Sequence, residues 1–279
     1  GARYGRGPTA AQSAANSDAI DAIKNDILDN FNAGGIPING ESPAGAILVR
    51  GYWQIARPII VPQKFISDLN RNPGFSIIGD GARPAHIDCT DATAYAIQAL
   101  DVEGSIYSSP QYTSILIRDI LIGGLGGALT VSKGGKEIYL NNVACWGFNA
   151  NQPAVKFDQM DSFHIGKLIV RESESDGVHL LNSHDMSMTL DISGCKKTGL
   201  YVSGCNSARM TVRTEANKGW GADIRDCKNF EMQIWAEGNR CKYLGVGSLD
   251  LPQMRLERVW NSHFWGHSFQ DRGQIICDE

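Results

Sequence analysis

Apolar and polar positions along the chain change their rhythm once. Between Asn16 and Gly34 the apolar residues Ile20, Ala22, Ile23, Ile27, Leu28 and Phe31 recur at helical spacing. This predicts one short helix over about 17–33, capped by Asn16 or Ser17 and stopped by Gly34 and Gly35. Everything after it reads as short strands, beginning with Ala46 to Val49, Ile59 to Val61, Phe75 to Ile78 and Ile115 to Ile117, divided by Gly, Asn, Asp and Ser. No second amphipathic helix stands out, so the pattern predicts an all-β body capped by one α-helix.

The strands repeat. Gly177, Gly199 and Gly221 are 22 apart and Gly245 follows 24 later; each precedes an apolar-x-apolar triplet, Val178 to Leu180, Leu200 to Val202, Ala222 to Ile224 and the weaker Val246 to Ser248. Met188, Met210, Met232 and Met254 keep the 22-residue interval, as do Leu190, Val212, Ile234 and Leu256, and the turn residues Cys195, Asn217, Asn239 and Asn261. A unit of that length, holding two or three short strands and stacking like on like, is what a parallel β-solenoid requires. Each coil then advances the chain by one strand spacing, about 4.8 Å. Ser114 to Ile122, Glu137 to Cys145 and Phe163 to Val170 read as earlier copies of the strand, which makes eight or nine coils, the regular ones over about 127–265. The expected organisation is a flexible lead over 1–16 and a single β-helix domain over 17–279.

Composition supports a folded chain. Of 279 residues 42% are hydrophobic and 20% charged, with a formal net charge of −4, unlike a disordered polymer. The absence of a basic stripe argues against nucleic acid as a partner. No run of about 20 apolar residues predicts a membrane span, and no signal-peptide pattern opens the sequence. The seven cysteines form no CxxC pair, so neither a disulfide framework nor a zinc site is expected and most should be small buried residues. His164, His184, His263 and His267 show no ligand spacing, and no metal or cofactor is expected.

The segments AGAILVRGYWQIARPIIVP (Ala44 to Pro62) and FSIIGDG (Phe75 to Gly81), following a capping helix and leading into 22-residue coils, carry a resemblance. They resemble the opening of right-handed parallel β-helix proteins of the pectin-lyase-like superfamily, in particular bacteriophage tailspikes and related polysaccharide depolymerases. Arg50-Gly51-Tyr52 and Gly79-Asp80-Gly81 stand where that group has its P-x-G-x-Y and G-x-G turns, the proline being absent. The resemblance implies a right-handed β-helix acting on a polysaccharide, a homotrimer, and a place outside the cell or on a virion tail. Its members include hydrolases, lyases, epimerases, fructan transferases and non-catalytic adhesion modules, so fold does not choose the chemistry.

Strand alternation sorts the side chains. With Met210, Val212 and Thr214 inward, the 22-residue register gives three outward columns: Lys167, Thr189, Thr211, Gln233 and Arg255; Ile169, Asp191, Arg213, Trp235 and Glu257; Arg171, Ser193, Glu215, Glu237 and Val259. Glu215 and Glu237 occupy equivalent places on adjacent coils, a spacing close to the roughly 5–5.5 Å between the carboxyls of retaining glycosidases. A ladder of solvated glutamates would space them equally. Glu215, Glu237 and Asp191 are the candidate catalytic groups, with Arg213, Trp235, Arg171 and Glu257 as sugar-binding groups. His179, Tyr201 and Asp223 form a further outward column, in which Tyr201 and Asp223 are additional substrate contacts. A glycoside hydrolase is expected first; a lyase or fructan transferase on the same scaffold and a glycan-binding module remain as alternatives. Trp260, Phe264 and Trp265 crowd the last turn and suit a cap or a subunit contact.

Overall fold

The computed structural model describes residues 9–32, 45–61, 75–80, 85–100, 115–132, 138–239, 254–269 and 275–278. After helix α1 (Ala10–Asn32), the first coil is β1 (Gly45–Val49), β2 (Tyr52–Ile55) and β3 (Ile59–Ile60), and the second is β4 (Phe75–Gly79), β5 (Ala85–Cys89) and β6 (Ile97–Leu100). In the next coils the first two strands run on as one: β7 (Ile115–Gly124) is followed by the short β8 (Leu129–Ser132), β9 (Ile138–Gly147) by β10 (Val155–Asp158), β11 (Asp161–Arg171) by β12 (Val178–Leu181), and β13 (His184–Ser193) by β14 (Leu200–Ser203). β15 (Asn206–Glu215), β16 (Ala222–Glu237), β17 (Met254–Trp260), β18 (His263–Phe269) and β19 (Ile275–Asp278) complete the series. Every strand pairs in parallel with its equivalent one coil away. The protein is a parallel β-helix with an N-terminal helix, the class that the repeat implies.

Three ladders run along the rod. The first stacks Ile47, Ile77, Ile117, Leu140, Ile165, Met188, Met210, Met232 and Phe264, one from each of nine coils. The second stacks Ile87, Ile122, Cys145, Val170, Ile192, Thr214 and Ala236. The third carries Leu129, Val155, Val178, Leu200, Ala222 and Met254. Nearly all of these side chains are buried, and together they make the core. Cys89, Cys145, Cys195, Cys205 and Cys227 are buried free thiols within it, while Cys241 lies outside the described residues.

The 22-residue register ends at Met232. Met254 does not join the methionine ladder: it pairs with Ala222 on the third sheet, and Phe264, 32 positions beyond Met232, takes the expected place. The extra length moves Arg255, Glu257 and Val259 off their expected columns and onto the rows of Asp223, Arg225 and Cys227. Asn261 likewise lies beside Asn229, its Nδ2 2.6 Å from the Oδ1 of Asn229, and not above Asn239. The fourth triplet is Met254-Arg255-Leu256; Val246 to Ser248 falls outside the described residues.

Corners stack as regularly as strands. Glu172, Gly194, Ala216 and Gly238 turn from the second sheet to the third with φ of 52°, 70°, 52° and 59°. Gly177 and Gly199 serve differently, since a Cβ on Gly199 would lie 2.7 Å from Asn217 Nδ2 and 2.8 Å from the carbonyl oxygen of Gly221. The recurrent glycines therefore admit the next coil, and the left-handed bends belong to other positions.

Helix α1 begins at Ala10, seven residues before the expected start, because Thr9 and not Ser17 caps it. Gln12 donates its backbone N–H to Thr9 Oγ1 (3.2 Å) and Gln12 Oε1 accepts from Thr9 N–H (2.7 Å), a reciprocal box. Ser17 docks the helix instead: its Oγ accepts the N–H groups of Ala56 (2.9 Å) and Arg57 (3.2 Å). Ile20 and Ile27 are buried beneath. The helix is not apolar enough to cross a membrane.

Candidate functional site on the second sheet

The outward positions of the second sheet form two files. One passes through Tyr52, His86, Leu121, Ala144, Ile169, Asp191, Arg213 and Trp235; the other passes through Gln54, Asp88, Gly123 and Trp146, then from Arg171 through Ser193 and Glu215 to Glu237. This brings Glu215, Glu237, Asp191, Arg213, Trp235 and Arg171 onto one face. Glu215 and Glu237 are direct register partners, as are Arg213 and Trp235. Arg213 Nη2 donates to Glu215 Oε2 at 2.9 Å. Among the described residues Glu237 has no ion-pair partner.

Asp191 is engaged differently from an idle acid. Arg171 grips it with two parallel hydrogen bonds, Nη1 to Oδ1 at 3.0 Å and Nη2 to Oδ2 at 2.8 Å, and also donates to Ser193 Oγ at 2.7 Å. Such a fork fixes both side chains, and the carboxylate raises the pKa of Arg171. The fork holds Asp191 and Arg171 together on the face that carries Glu215 and Glu237.

Three of the expected contacts lie on the third sheet. Tyr201 stacks obliquely on His179, ring centroids 5.1 Å apart, and the Arg225 guanidinium sits 5.6 Å from its ring centre. Asp223 is buried: Oδ1 accepts from Nε of Arg225 and Arg255 at 3.0 Å each, and Oδ2 from their Nη2 atoms at 2.8 and 2.9 Å. Burial pushes its carboxyl up, and the hydrogen bonds from Arg225 oppose that. Each oxygen of Asp223 thus already accepts two hydrogen bonds, which tie β16 to β17. Glu257 is off the Glu215 face altogether, between Arg225 and Arg258.

A second constellation on the same face escapes sequence reasoning. β2 and β5 place Tyr52 beside His86 and Gln54 beside Asp88. His86 lies edge-on between the rings of Tyr52 (4.7 Å) and Trp146 (4.8 Å). Gly123 leaves the gap that they fill: a Cβ there would be 2.0 Å from Asp88 Oδ1 and 2.1 Å from Trp146 Nε1. His86 Nε2 approaches Asp88 Oδ1 to 3.0 Å, yet neither buried atom makes a hydrogen bond of good geometry. Burial, and then the charge of Asp88 and a hydrogen bond to it, push the Tyr52 phenol up to about 12. Buried polar atoms without aligned partners are uncommon and costly, and they gather where chemistry is done. The alternation of Ala85 to Cys89, with His86 and Asp88 on one side, was the available signal.

No protein-family model and no curated protein matches the chain. Among solved structures it is similar to the A-module of a mannuronan C-5 epimerase from Azotobacter vinelandii, at 10% identity over 92% of this chain and 87% of that one, with a TM-score of 0.41. It is also similar to full-length tailspike protein 2 of an Escherichia coli O157:H7 bacteriophage, at 11% identity over 84% of this chain and 37% of that one, with a TM-score of 0.36. The enzymatically active domain of a bacteriophage tailspike protein 2 follows at 11% identity, 84% of this chain, 42% of that one and a TM-score of 0.30. The chain spans less than half the length of these tailspike chains.

Proposed function

We propose that the protein binds a polysaccharide along the outer face of its second sheet and cleaves it as a glycoside hydrolase. The observation that carries this reading is the register pair Glu215 and Glu237, flanked by the Arg213 and Trp235 pair on the same two coils. Adjacent strands put such carboxylates about one strand spacing apart, near the separation of a retaining pair. Glu215, bonded to Arg213, takes the nucleophile's part, and Glu237 the acid's, protonating the leaving oxygen. Trp235 and Trp146 offer flat apolar surfaces on which sugar rings stack, and Arg213 and Arg171 bring donors for hydroxyl or acidic groups. The tailspike resemblance extends the reading to a homotrimer outside the cell or on a virion tail.

The Tyr52, His86 and Asp88 constellation favours a second reading, a lyase. There His86 takes a proton from carbon and the protonated Tyr52 phenol delivers one to the leaving oxygen, so that the product carries a double bond. One experiment separates the two. Incubation with a panel of cell-surface and extracellular glycans gives reducing ends alone under hydrolysis, and reducing ends with ultraviolet-absorbing unsaturated ends under elimination. Glu237→Gln should abolish the first activity and His86→Ala the second. Binding without either product would leave a glycan-binding module, and full activity in Glu237→Gln would remove the carboxylate pair from the chemistry.

A further inference from the structure

Away from that face, Asp161 and His184 are register partners on adjacent coils, and Asp185 follows His184. His184 Nδ1 lies 3.1 Å from Asp161 Oδ1 and 3.7 Å from Asp185 Oδ2, and the three donor atoms all fall within 4.8 Å of one another. Two carboxylates thus converge on a single ring nitrogen, which has at most one proton to give, and Ser162 Oγ donates to Asp161 Oδ1 at 3.0 Å. A tetrahedral cation with bonds of about 2.0–2.2 Å holds its ligand atoms roughly 3.4 Å apart, between the two separations seen here. Asp185 also lines an open surface groove of about 440 Å³ with Tyr139, His164, Ser187, Arg209 and Glu231. A metal at the cluster would therefore stand at the groove's edge, with coordination positions left for water or for an oxygen of a ligand lying along it.

We propose that Asp161, His184 and Asp185 bind a divalent first-row transition ion such as Zn²⁺. One imidazole among carboxylates selects such an ion over the hard cations Ca²⁺ and Mg²⁺, which prefer oxygen alone. The site is independent of the polysaccharide reading, since none of its residues belongs to the second sheet's outer face. Sequence spacing hides it because the chain travels a whole coil between Asp161 and His184.

The test is calorimetric titration of the full chain with Zn²⁺, Co²⁺, Ca²⁺ and Mg²⁺, together with the visible spectrum of the Co²⁺ form. One Zn²⁺ per chain should bind, more tightly than Ca²⁺ or Mg²⁺, and the Co²⁺ spectrum should lack the intense near-ultraviolet band of a thiolate ligand. His184→Ala and Asp185→Asn should each weaken Zn²⁺ binding by about tenfold or more. The side chains of His184 and Asp185 are 50% and 61% exposed, so both variants should keep the wild-type circular dichroism. Should His184→Ala misfold, Asp185→Asn decides alone. The proposal is overturned by no Zn²⁺ binding, by equal binding in a folded variant, or by a thiolate band that moves the metal to a cysteine.

Discussion

Asn217 and Asn239 lie one above the other in the solenoid's interior, Nδ2 of the first 2.7 Å from Oδ1 of the second. Asn217 Oδ1 accepts the N–H of Cys195 (2.9 Å), and Asn239 Nδ2 donates to the carbonyl oxygen and hydroxyl of Thr214 (3.1 and 3.2 Å). Both side chains are fully buried and satisfy backbone groups at the corner, where the chain leaves its ladders. Asn217→Ala strands the Cys195 N–H without an acceptor and opens a void. A loss of about 2 kcal/mol in denaturant unfolding is expected, where the same change at exposed Asn141, in extended backbone on β9, should cost under about 0.5 kcal/mol.

Two glycines separate two reasons for lacking a side chain. Gly194 has φ of 70° and open space around its missing Cβ, the nearest atom being 3.6 Å away. Gly194→Ala therefore meets backbone strain alone, about 1 kcal/mol. Gly199→Ala would press on the carbonyl oxygen of Gly221 in the next coil, a backbone atom that cannot turn aside. A cost of about 2–3 kcal/mol is expected, and thermal melts of the two variants should rank them in that order.

The Tyr52 phenol should ionise at about 12, visible as the difference between ultraviolet titrations of the protein and Tyr52→Phe. Since the native state keeps this proton above the phenol's ordinary value of 10, its contribution to stability is full below about pH 10 and is lost as pH rises towards 12. Asp88→Asn removes the charge and leaves the burial, so the phenol's pKa should fall part of the way back. An unmoved titration would mean that Asp88 does not face the phenol.

The carboxyl of Asp21 answers to the opposite end of the scale. Burial pushes it up, but hydrogen bonds from Arg57 and Lys24, with their charges, outweigh this and hold it below the usual carboxylate range. Its contribution is therefore present above about pH 4 and lost as pH falls below it. Arg57 also bonds Asp18 at 2.8 Å, which ties α1 to the first coil. Solvent screens these exposed pairs, so their effect is local to α1 and not global. Protection factors in α1, corrected for the intrinsic exchange rate at each pH, should fall on acidification before those in the coils do, and Arg57→Ala should remove the difference.

Regular coils were legible and irregular ones were not. Met188, Met210 and Met232 announce their stack because nothing interrupts the interval, and Glu215 with Glu237 inherits that register. Ile47, Ile77 and Ile117 stack just as closely, but 30 and 40 positions separate them, so no period reveals it. His86, Asp88 and Trp146 depend on those same unequal coils, and their meeting over Gly123 is a tertiary fact. Met254 shows the converse error. Its interval fits, yet the longer coil after Met232 delivers it to another sheet. A solenoid conserves the direction of stacking and tolerates any loop length between rungs, so sequence distance is informative only where loops are equal.

If a glycan lies along the second sheet, Trp146 and Trp235 should be shielded together, although they belong to the fourth and eighth coils. Both are partly buried, whereas Trp260 and Trp265 are 56% and 49% exposed and lie on later strands. Adding a bound oligosaccharide long enough to span the three intervening rungs should reduce iodide quenching of the Trp146 and Trp235 fluorescence, read in variants that each keep a single indole, Trp146, Trp235 or Trp260, and replace the others by Phe. Trp235→Ala should weaken binding by about tenfold or more, as the loss of an aromatic anchor does, while Trp260→Ala should leave it unchanged. Shielding of Trp260 with Trp235 left open would place the ligand at the far end of the rod instead.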